Sequence, residues 1–545
     1  MAADRRRVYF NEFNVLMDRT AYLPLVSGLL AAYASKFEEI KSNYEFMPFL
    51  FVRNSVENLL LNYRQPCVAA FSVSVWNEQL NLQVARRLKE LFPACLVVFG
   101  GPQVPRDSKE YFKKHPFIDL VVHGDGEETL AAILLRYLVS SDFSNIPNIS
   151  WRDPIKGGYR QSGVSAARAK ELDDYPSPYV SGIFDYLFTD SQALNFQAII
   201  ETNRGCPYQC AYCVWGGMNK KMRFHSLEYV YAEIEWCANH GIRYVFNADS
   251  NFGINERDKQ IAEKLAEAKH RFGFPEKFRS CFAKNCEERI YDIAKILVQE
   301  KLEKGITLSF QSMDSNVLDN IKRQNIDLGI YKKLVGRFNQ EGIPVYSELI
   351  LGLPGENFKT WSKGVEEILE AGLKDQLFIY PCEVYPNTAL SEEGYRKEFG
   401  IITKRIRLSE IHGLIRQEEE ITEYQDIVIS TTTMGLEEWK KMMIFSWLMM
   451  FFFSMTVGFF ILSYIFLRYK IQFVKLIEFI YKDQSAIPGF LREELARYKE
   501  ILEQILQGGR KAVIMPLFGN IYWDVEEASF LRLSERSGEF YEQML

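Results

Sequence analysis

The stretch ETNRGCPYQCAYCVWGG, Glu201 to Gly217, carries three cysteines in a C-x3-C-x2-C spacing. A closed structural zinc site takes four ligands, and disulfides consume thiols in pairs. Three thiols on one tight loop hold a metal or cluster with a coordination position left over, and chemistry happens at such a position. The loop follows FQAIIET (Phe196–Thr202), an apolar run that reads as a strand. The thiols therefore stand at the carboxyl end of a strand, where barrels and open parallel sheets build their sites.

Downstream, similar runs recur with helical patterns between them. They are RYVFNAD (Arg243–Asp249), FRSCFA (Phe278–Ala283), ITLSFQS (Ile306–Ser312), PVYSELILG (Pro344–Gly352) and QLFIYPCEVY (Gln376–Tyr385). Six strands in series predict a partial barrel over 195–400. Upstream, RVYFNEF (Arg7–Phe13), CVAAFSVSVW (Cys67–Trp76), CLVVFGG (Cys95–Gly101) and IDLVV (Ile118–Val122) alternate with helices over 23–42, 81–92 and 127–138. These runs are too continuously apolar for a one-sided sheet, so 1–145 reads as a doubly wound, Rossmann-like parallel sheet. WRDPIKGGYRQSG (Trp151–Gly163) has the pattern of a hairpin, and LDDYPSPYVSGIFD (Leu172–Asp185) the punctuation of a crossing, so 146–194 reads as a linker. The pattern after 401 is mostly helical.

Length and composition agree with several α/β units. At 545 residues the chain exceeds one core, and 47% hydrophobic with 25% charged residues describes a folded protein. A net charge of −6 with interspersed signs argues against a nucleic-acid surface. The nine cysteines are scattered except for the trio, which favours a reducing, cytoplasmic location. LPLVSGLLAAYA (Leu23–Ala34) follows Glu12 and Asp18 and reads as a buried helix rather than a signal segment.

The cysteine loop in this context resembles the radical S-adenosylmethionine (radical SAM) superfamily. The resemblance implies that Cys206, Cys210 and Cys213 bind three irons of a 4Fe–4S cluster, and that S-adenosylmethionine chelates the fourth. It implies SAM-binding roles for Tyr212 beside the adenine, and for Asp249 and Asn251 in NADSNFG toward the methionine amino group. Ser309 and Gln311 in SFQSMD suit the ribose and carboxylate, and Gly352 in ELILGLPGE the adenine. YPNT (Tyr385–Thr388) resembles the last-strand loop. The alternative for the trio is a zinc site completed from a distance.

The N-terminal unit resembles the cobalamin-binding domain fused to many of these proteins. Ser72, Ser74, Gly100, Gly101, Gly124 and Gly126 are then the cobalamin contacts. Asp-x-His-x-x-Gly is absent, so no lower histidine ligand for cobalt is implied, and His123 is expected to pack locally. The resemblance implies a methyltransferase that places a methyl group from methylcobalamin on an unactivated carbon by way of a 5′-deoxyadenosyl radical. It also implies an electron donor such as flavodoxin or ferredoxin. A radical cyclase or rearrangement enzyme without methyl transfer, and a cobalamin sensor or membrane-associated scaffold with a vestigial barrel, are the alternatives.

The resemblance ends near 400. Beyond it, Met442–Leu467 holds no charge and exceeds the roughly 20 residues that span a bilayer. Lys440, Lys441, Arg468 and Lys470 flank it at both ends. It reads either as a membrane-associated segment or as a buried helix, or two helices broken near Gly458, packed at the barrel mouth. An apolar platform there suits a small-molecule or lipid-linked substrate, with Trp215, Glu383 and Tyr385 as pocket candidates.

Overall fold

The computed structural model describes residues 5–153, 158–163, 171–188, 194–215, 221–284, 286–415, 421–483, 485 and 487–544. The turn of the 151–163 hairpin, parts of the 146–194 segment and Gly216–Gly217 of the cysteine stretch lie outside these residues.

The first half of the chain contributes β1 (Arg6–Asn14), β2 (Thr20–Tyr22), β3 (Tyr44–Phe46), β4 (Leu50–Val52), β5 (Pro66–Ser72), β6 (Leu96–Gly100), β7 (Leu120–Val122), β8 (Ile149–Arg152) and β9 (Tyr159–Gln161). All but β2 form one sheet in the order β3-β1-β5-β6-β7-β8-β9, with β4 also on β1. Strands β1, β5, β6 and β7 pair in parallel, whereas β8 and β9 add an antiparallel hairpin. The sheet therefore continues past 145. Helices pack on both faces and leave Val68, Ala69, Val97 and Val121 fully buried.

Two expected elements differ in extent. The helix over 23–42 is two helices, Leu25–Ala34 and Glu38–Asn43, separated by a turn at Ser35–Phe37. The strand over 67–76 ends at Ser72, because the Asn77 side chain accepts from Ser74 N and donates to Ser72 O, turning the chain toward its helix.

The second unit begins with β10 (Asn195–Ile200), β11 (Asn203–Arg204), β12 (Arg223–Phe224), β13 (Tyr244–Phe252), β14 (Lys277–Phe282), β15 (Ile306–Thr307), β16 (Val345–Leu351) and β17 (Gln376–Pro381). Six of these are the barrel strands, paired in parallel as β10-β13-β14 and β15-β16-β17. On the free side of β10 lies β2, in parallel register Thr20 to Asn195. The N-terminal unit is thus stitched into the barrel's first edge.

The C-terminal segment is not purely helical. It contains an antiparallel ribbon, β18 (Ile402–Arg407) with β19 (Tyr424–Ser430), and a small pair, β20 (Val513–Ile514) with β21 (Tyr522–Trp523). Through Val384 N to Asp426 O and Val428 N to Cys382 O, β19 prolongs the barrel beyond the end of β17.

The apolar run after Lys441 forms a buried helix (Leu436–Met449), a wide turn of π-helix (Met450–Ser454) and a second helix (Phe459–Tyr469) bent by 92° from the first. Among the described residues no single helix is long and apolar enough to cross a membrane. The break falls at Gly458, as expected, where a Cβ would lie 2.4 Å from the Phe452 ring. The position differs from expectation: this layer runs along the barrel's last strand, from Met434 beside Gly352 to Ser454 beside Leu377, rather than across the mouth. The reason is an open sheet edge, which needs cover more than the solvated mouth does.

Candidate active site

The cysteine loop leaves β10 and is held from three sides. Ala211 N donates to Ile321 O at 2.9 Å, Leu390 N donates to Ala211 O, and Cys213 N closes a turn on Cys210 O. Cys206 and Cys210 are buried and Cys213 half-buried, none of them in a disulfide. Asn251 Nδ2 donates to Cys206 Sγ at 3.2 Å. Among the described residues no three His, Cys, Asp or Glu side chains converge as a chelate for a single ion. The loop's donor set is soft and thiol-only, which fits an iron–sulfur cluster.

Tyr212 is wedged behind the loop. Its hydroxyl accepts from Arg323 at 2.7 Å, and burial pushes its phenol above the ordinary tyrosine range. Arg323 is itself buried and donates also to Ser309 O, Phe310 O and Asn325 Oδ1. One guanidinium thus links the cysteine loop to the end of the fourth barrel strand.

The strand ends sort the expected SAM contacts. In β13 the odd-numbered residues Val245, Asn247, Asp249 and Asn251 are buried, while Phe246, Ala248 and Ser250 line the central cavity. Asp249 therefore faces away from the cavity. Its carboxylate accepts from Thr202 N, Asn203 N, Asn203 Nδ2, Asn247 Nδ2 and the Thr202 hydroxyl. It rivets the start of the cysteine loop to β13 and has no lone pair to spare for a methionine amino group. Burial nonetheless raises it to about 6, against the pull of those hydrogen bonds. Ser250, which reaches both the cavity and Gly205 O, is the polar side chain the sequence reading missed.

Ser309 donates to Glu348 Oε2 at 2.6 Å. Gln311 bridges to Leu349 and holds φ at 67°. Gly352 ends β16 where any side chain would meet Met434 and Val428.

Above the barrel, a cavity of about 720 Å³ separates the two units. Ser72, Ser74, Gly100, Gly101, Gly124 and Gly126 all line it from the N-terminal sheet. Glu201, Asn203, Arg204, Gly205 and Trp215 line it from the barrel. Gly101 has φ of 115°, and a Cβ there would sit 2.5 Å from Val73 O, so glycine keeps the strand end flush with the cavity floor. Gly124 has φ of 76° with open space around it, leaving a backbone cradle. Such bare walls fit a bulky planar ligand, and the polar groups above them fit its amide rim.

Two carboxyl groups add to that wall. Glu12 accepts from Ser27 N and Oγ at 2.8 and 2.9 Å, and burial raises it to about 7. Glu201 is raised to about 7 by burial, against the guanidinium of Arg204 at 2.7 Å. Arg204 also reaches Glu127 at 2.7 Å and stacks on Tyr175, while Arg223 binds Asp125. These pairs cross from the barrel to the GDGEE turn.

His123 bonds Ser150 Oγ at 2.9 Å and packs locally, as expected. Glu383 and Tyr385 bond each other and line a separate cavity of about 540 Å³ with Arg405 and Asp426. Only Trp215 of the three pocket candidates faces the central cavity.

A Rossmann-like unit closes over a cysteine-bearing partial barrel, the arrangement that the resemblance to two-domain radical SAM proteins implies. Residues 200–368 match the family model described as Radical SAM superfamily. The chain is 38% identical over 445 residues to the cobalamin-dependent radical SAM methyltransferase TokK of Streptomyces tokunonensis, covering 81% of this chain and 64% of that protein. It is 37% identical over 444 residues to the 2-(S-pantetheinyl)-carbapenam-3-carboxylate methyltransferase of Streptantibioticus cattleyicolor, covering 80% and 64%. The alignments thus span just under two thirds of these relatives. Among solved structures, apo OxsB superposes with TM-score 0.62 at 14% identity, over 99% of this chain and 84% of that one. TsrM of Kitasatospora setae superposes with TM-score 0.56 at 15% identity, over 80% and 87%. At such identities these two likenesses concern the fold alone. Residues 200–368 are thus a radical SAM domain, and the chain is similar over most of its own length to cobalamin-dependent radical SAM methyltransferases.

Proposed function

We propose that this chain is a cobalamin-dependent radical SAM methyltransferase acting on an unactivated carbon of a small molecule. The observation that carries this reading is the shared cavity: the six glycine and serine positions of the N-terminal unit and the residues flanking Cys206 line one space. Relatives named as methyltransferases at 37–38% identity support it.

On this reading Cys206, Cys210 and Cys213 hold the 4Fe–4S cluster, and S-adenosylmethionine lies against Ser250, Gln311 and Gly352. Cobalamin rests on Ser72, Ser74, Gly100, Gly101, Gly124 and Gly126. Bound together, these groups supply radical generation and a transferable methyl group. The chain's own residues bind, orient and exclude water. Asn251 fixes the Cys206 sulfur by its hydrogen bond, Arg204 ties the glycine turn to the cysteine loop, and Glu12 and Glu201 present polar atoms to the cavity.

One exposed cation on the barrel strands supports a substrate class. Arg279 of β14 is exposed between buried neighbours, and its charge acts on Tyr22, Tyr244, Tyr346 and Tyr380 as well as on Cys281 and Glu303. A solvated guanidinium ringed by aromatic side chains suits a carboxylate on an otherwise apolar molecule. The carboxylate in the name of one relative agrees with this. An external one-electron donor of the flavodoxin or ferredoxin type completes the reaction, in a reducing, cytoplasmic setting consistent with nine cysteines outside disulfides.

The test is composition. Protein produced with cobalamin and purified without oxygen is expected to hold about one corrinoid per chain beside a full cluster. Cys206→Ala, Cys210→Ala and Cys213→Ala should each abolish 5′-deoxyadenosine formation while corrinoid is retained. A full cluster without corrinoid would remove methyl transfer and leave a radical cyclase or rearrangement enzyme. Corrinoid without a cluster would leave a sensor.

A further inference from the structure

Among the described residues, two cations stand beside the cysteine loop without an acidic partner. Arg323 is 5% exposed, and its guanidinium donates to the hydroxyl of Tyr212, to Ser309 O, to Phe310 O and to Asn325 Oδ1, all of them neutral oxygens. Lys284, two residues past the end of β14, is half-buried with its Nζ 5.2 Å from the ring centre of Tyr208, which lies between Cys206 and Cys210. Among the described residues Lys284 has no carboxylate within ion-pair distance; besides burial, the groups that act on it most are Arg323 and the sulfurs of Cys210, Cys206 and Cys213. Burial first, then Arg323, pulls its ammonium down to about 8, while the sulfurs of the loop favour its charged form.

Partly buried charge without a counter-ion is costly and persists where an anion completes the site. Thiolates are the anions at hand. Three of them on a 4Fe–4S core leave a net negative unit, and one-electron reduction makes it more negative. A fixed cation nearby therefore stabilises the reduced form more than the oxidised one, since cluster potentials follow net charge and hydrogen bonding at the sulfurs.

We propose that Lys284 is the counter-charge of the cysteine loop and raises the potential at which a cluster on Cys206, Cys210 and Cys213 accepts an electron. The inference rests on the cluster reading above and gives Lys284 a role that the loop spacing does not contain. Lys284 acts through the field at the sulfurs, so it is a positioning residue for charge and touches no reacting atom. The electron comes from an external one-electron donor, and no bond is made or broken at Lys284.

The test uses anaerobically reconstituted full-length protein titrated with dithionite and mediators, followed by electron paramagnetic resonance, without and then with S-adenosylmethionine. Wild-type protein showing no cluster signal would sink the cluster reading itself and this inference with it. With the wild-type cluster present, Lys284→Met is expected to keep its iron content while its reduction equilibrium falls about tenfold, near 59 mV for a one-electron couple. Lys284→Arg should stay close to wild type. An unchanged Lys284→Met potential overturns the proposal, as does a shift that appears only after S-adenosylmethionine is added. That second result would make Lys284 a contact of that ligand. If Lys284→Met fails to hold iron, a Lys284→Arg variant that holds it supports the counter-charge. Loss of iron in both variants overturns it, because charge would then not be what the site requires.

Discussion

Along β13, Phe246, Ala248 and Ser250 reach the cavity while Asn247, Asp249 and Asn251 are buried behind it. A strand's side chains alternate with period two, so a reading displaced by one residue exchanges the two faces entirely. That is why the sequence picked out Asp249 and Asn251 at this strand end while Ser250 between them is the side chain that lines the cavity. The cysteines escaped this ambiguity because a loop motif carries its meaning in spacing alone. The cationic neighbours Lys284, Arg204 and Arg323 gave no signal, since a lone basic residue near a strand end is common everywhere. Glu356, in the GLPGE segment, illustrates what burial does to one residue. It is 1% exposed with Oε2 unpartnered, and burial raises its carboxyl from 4.5 to about 8. A raised folded-state value means that ionisation opposes folding: its contribution is fully present below pH 4.5 and is lost as pH rises through about 8. Replacing Glu356 with Gln removes the titrating proton and keeps the shape. Thermal unfolding should show the variant gaining about 2 kcal/mol relative to wild type between pH 6 and 8.5. Parallel pH curves for the two proteins would mean the carboxyl is already ionised and solvated.

The apolar layer after Lys441 shows what an element's composition does and does not determine. Its lack of charge required an apolar environment somewhere, and its glycine marked one place for a break, so a bent pair of helices was one of the forms the sequence allowed. Its location was not, because the pattern says how much surface must be hidden but not against what. The answer lies in the barrel being partial. The last strand, β17, would expose a row of unpaired backbone groups, and Leu436–Ser454 covers them. Ser454 does this most directly, donating to Leu377 O at 2.8 Å and accepting from Leu377 N at 3.0 Å. One hydroxyl thereby satisfies both groups of one edge residue, and all of these atoms are buried. The wide π-helical turn brings that hydroxyl to the strand. Ser454→Ala should leave both groups unsatisfied and cost about 1–3 kcal/mol in urea unfolding. Ser454→Thr, which keeps the hydroxyl, should recover most of that. Equal stability of Ser454→Ala and wild type would show that other groups close the edge.

At the scale of the molecule, the two α/β units could be read from their strand runs, but their docking could not, because it depends on charges far apart in sequence. Asp125 and Glu127 meet Arg223 and Arg204 across the cavity, and β2 joins the barrel's first strand. A third attachment comes from the C-terminal ribbon. Glu423 at the start of β19 is fully buried, 3.0 Å from Arg53 of the N-terminal unit. Its two oxygens also accept from Gln79 N at 2.7 Å and Leu80 N at 3.0 Å, in the first turn of the helix Glu78–Leu91. A carboxylate there satisfies two orphan amides and the positive end of the helix, which offsets the cost of burying it. The ribbon that prolongs the barrel is therefore fastened to the sheet that lines the cavity. Glu423→Gln keeps one acceptor and loses the charge, so it should cost about 2–3 kcal/mol. Arg53→Met should cost a similar amount by leaving Glu423 buried without its cation. If the pair acts as one fastening, the double variant will lose less than the sum of the singles, with a coupling of about 1–3 kcal/mol in a double-mutant cycle. Strict additivity would assign the stability to the helix amides alone. Arg53 would then be a bystander, and the N-terminal unit would be held over the barrel by the Arg204 and Arg223 pairs and by β2.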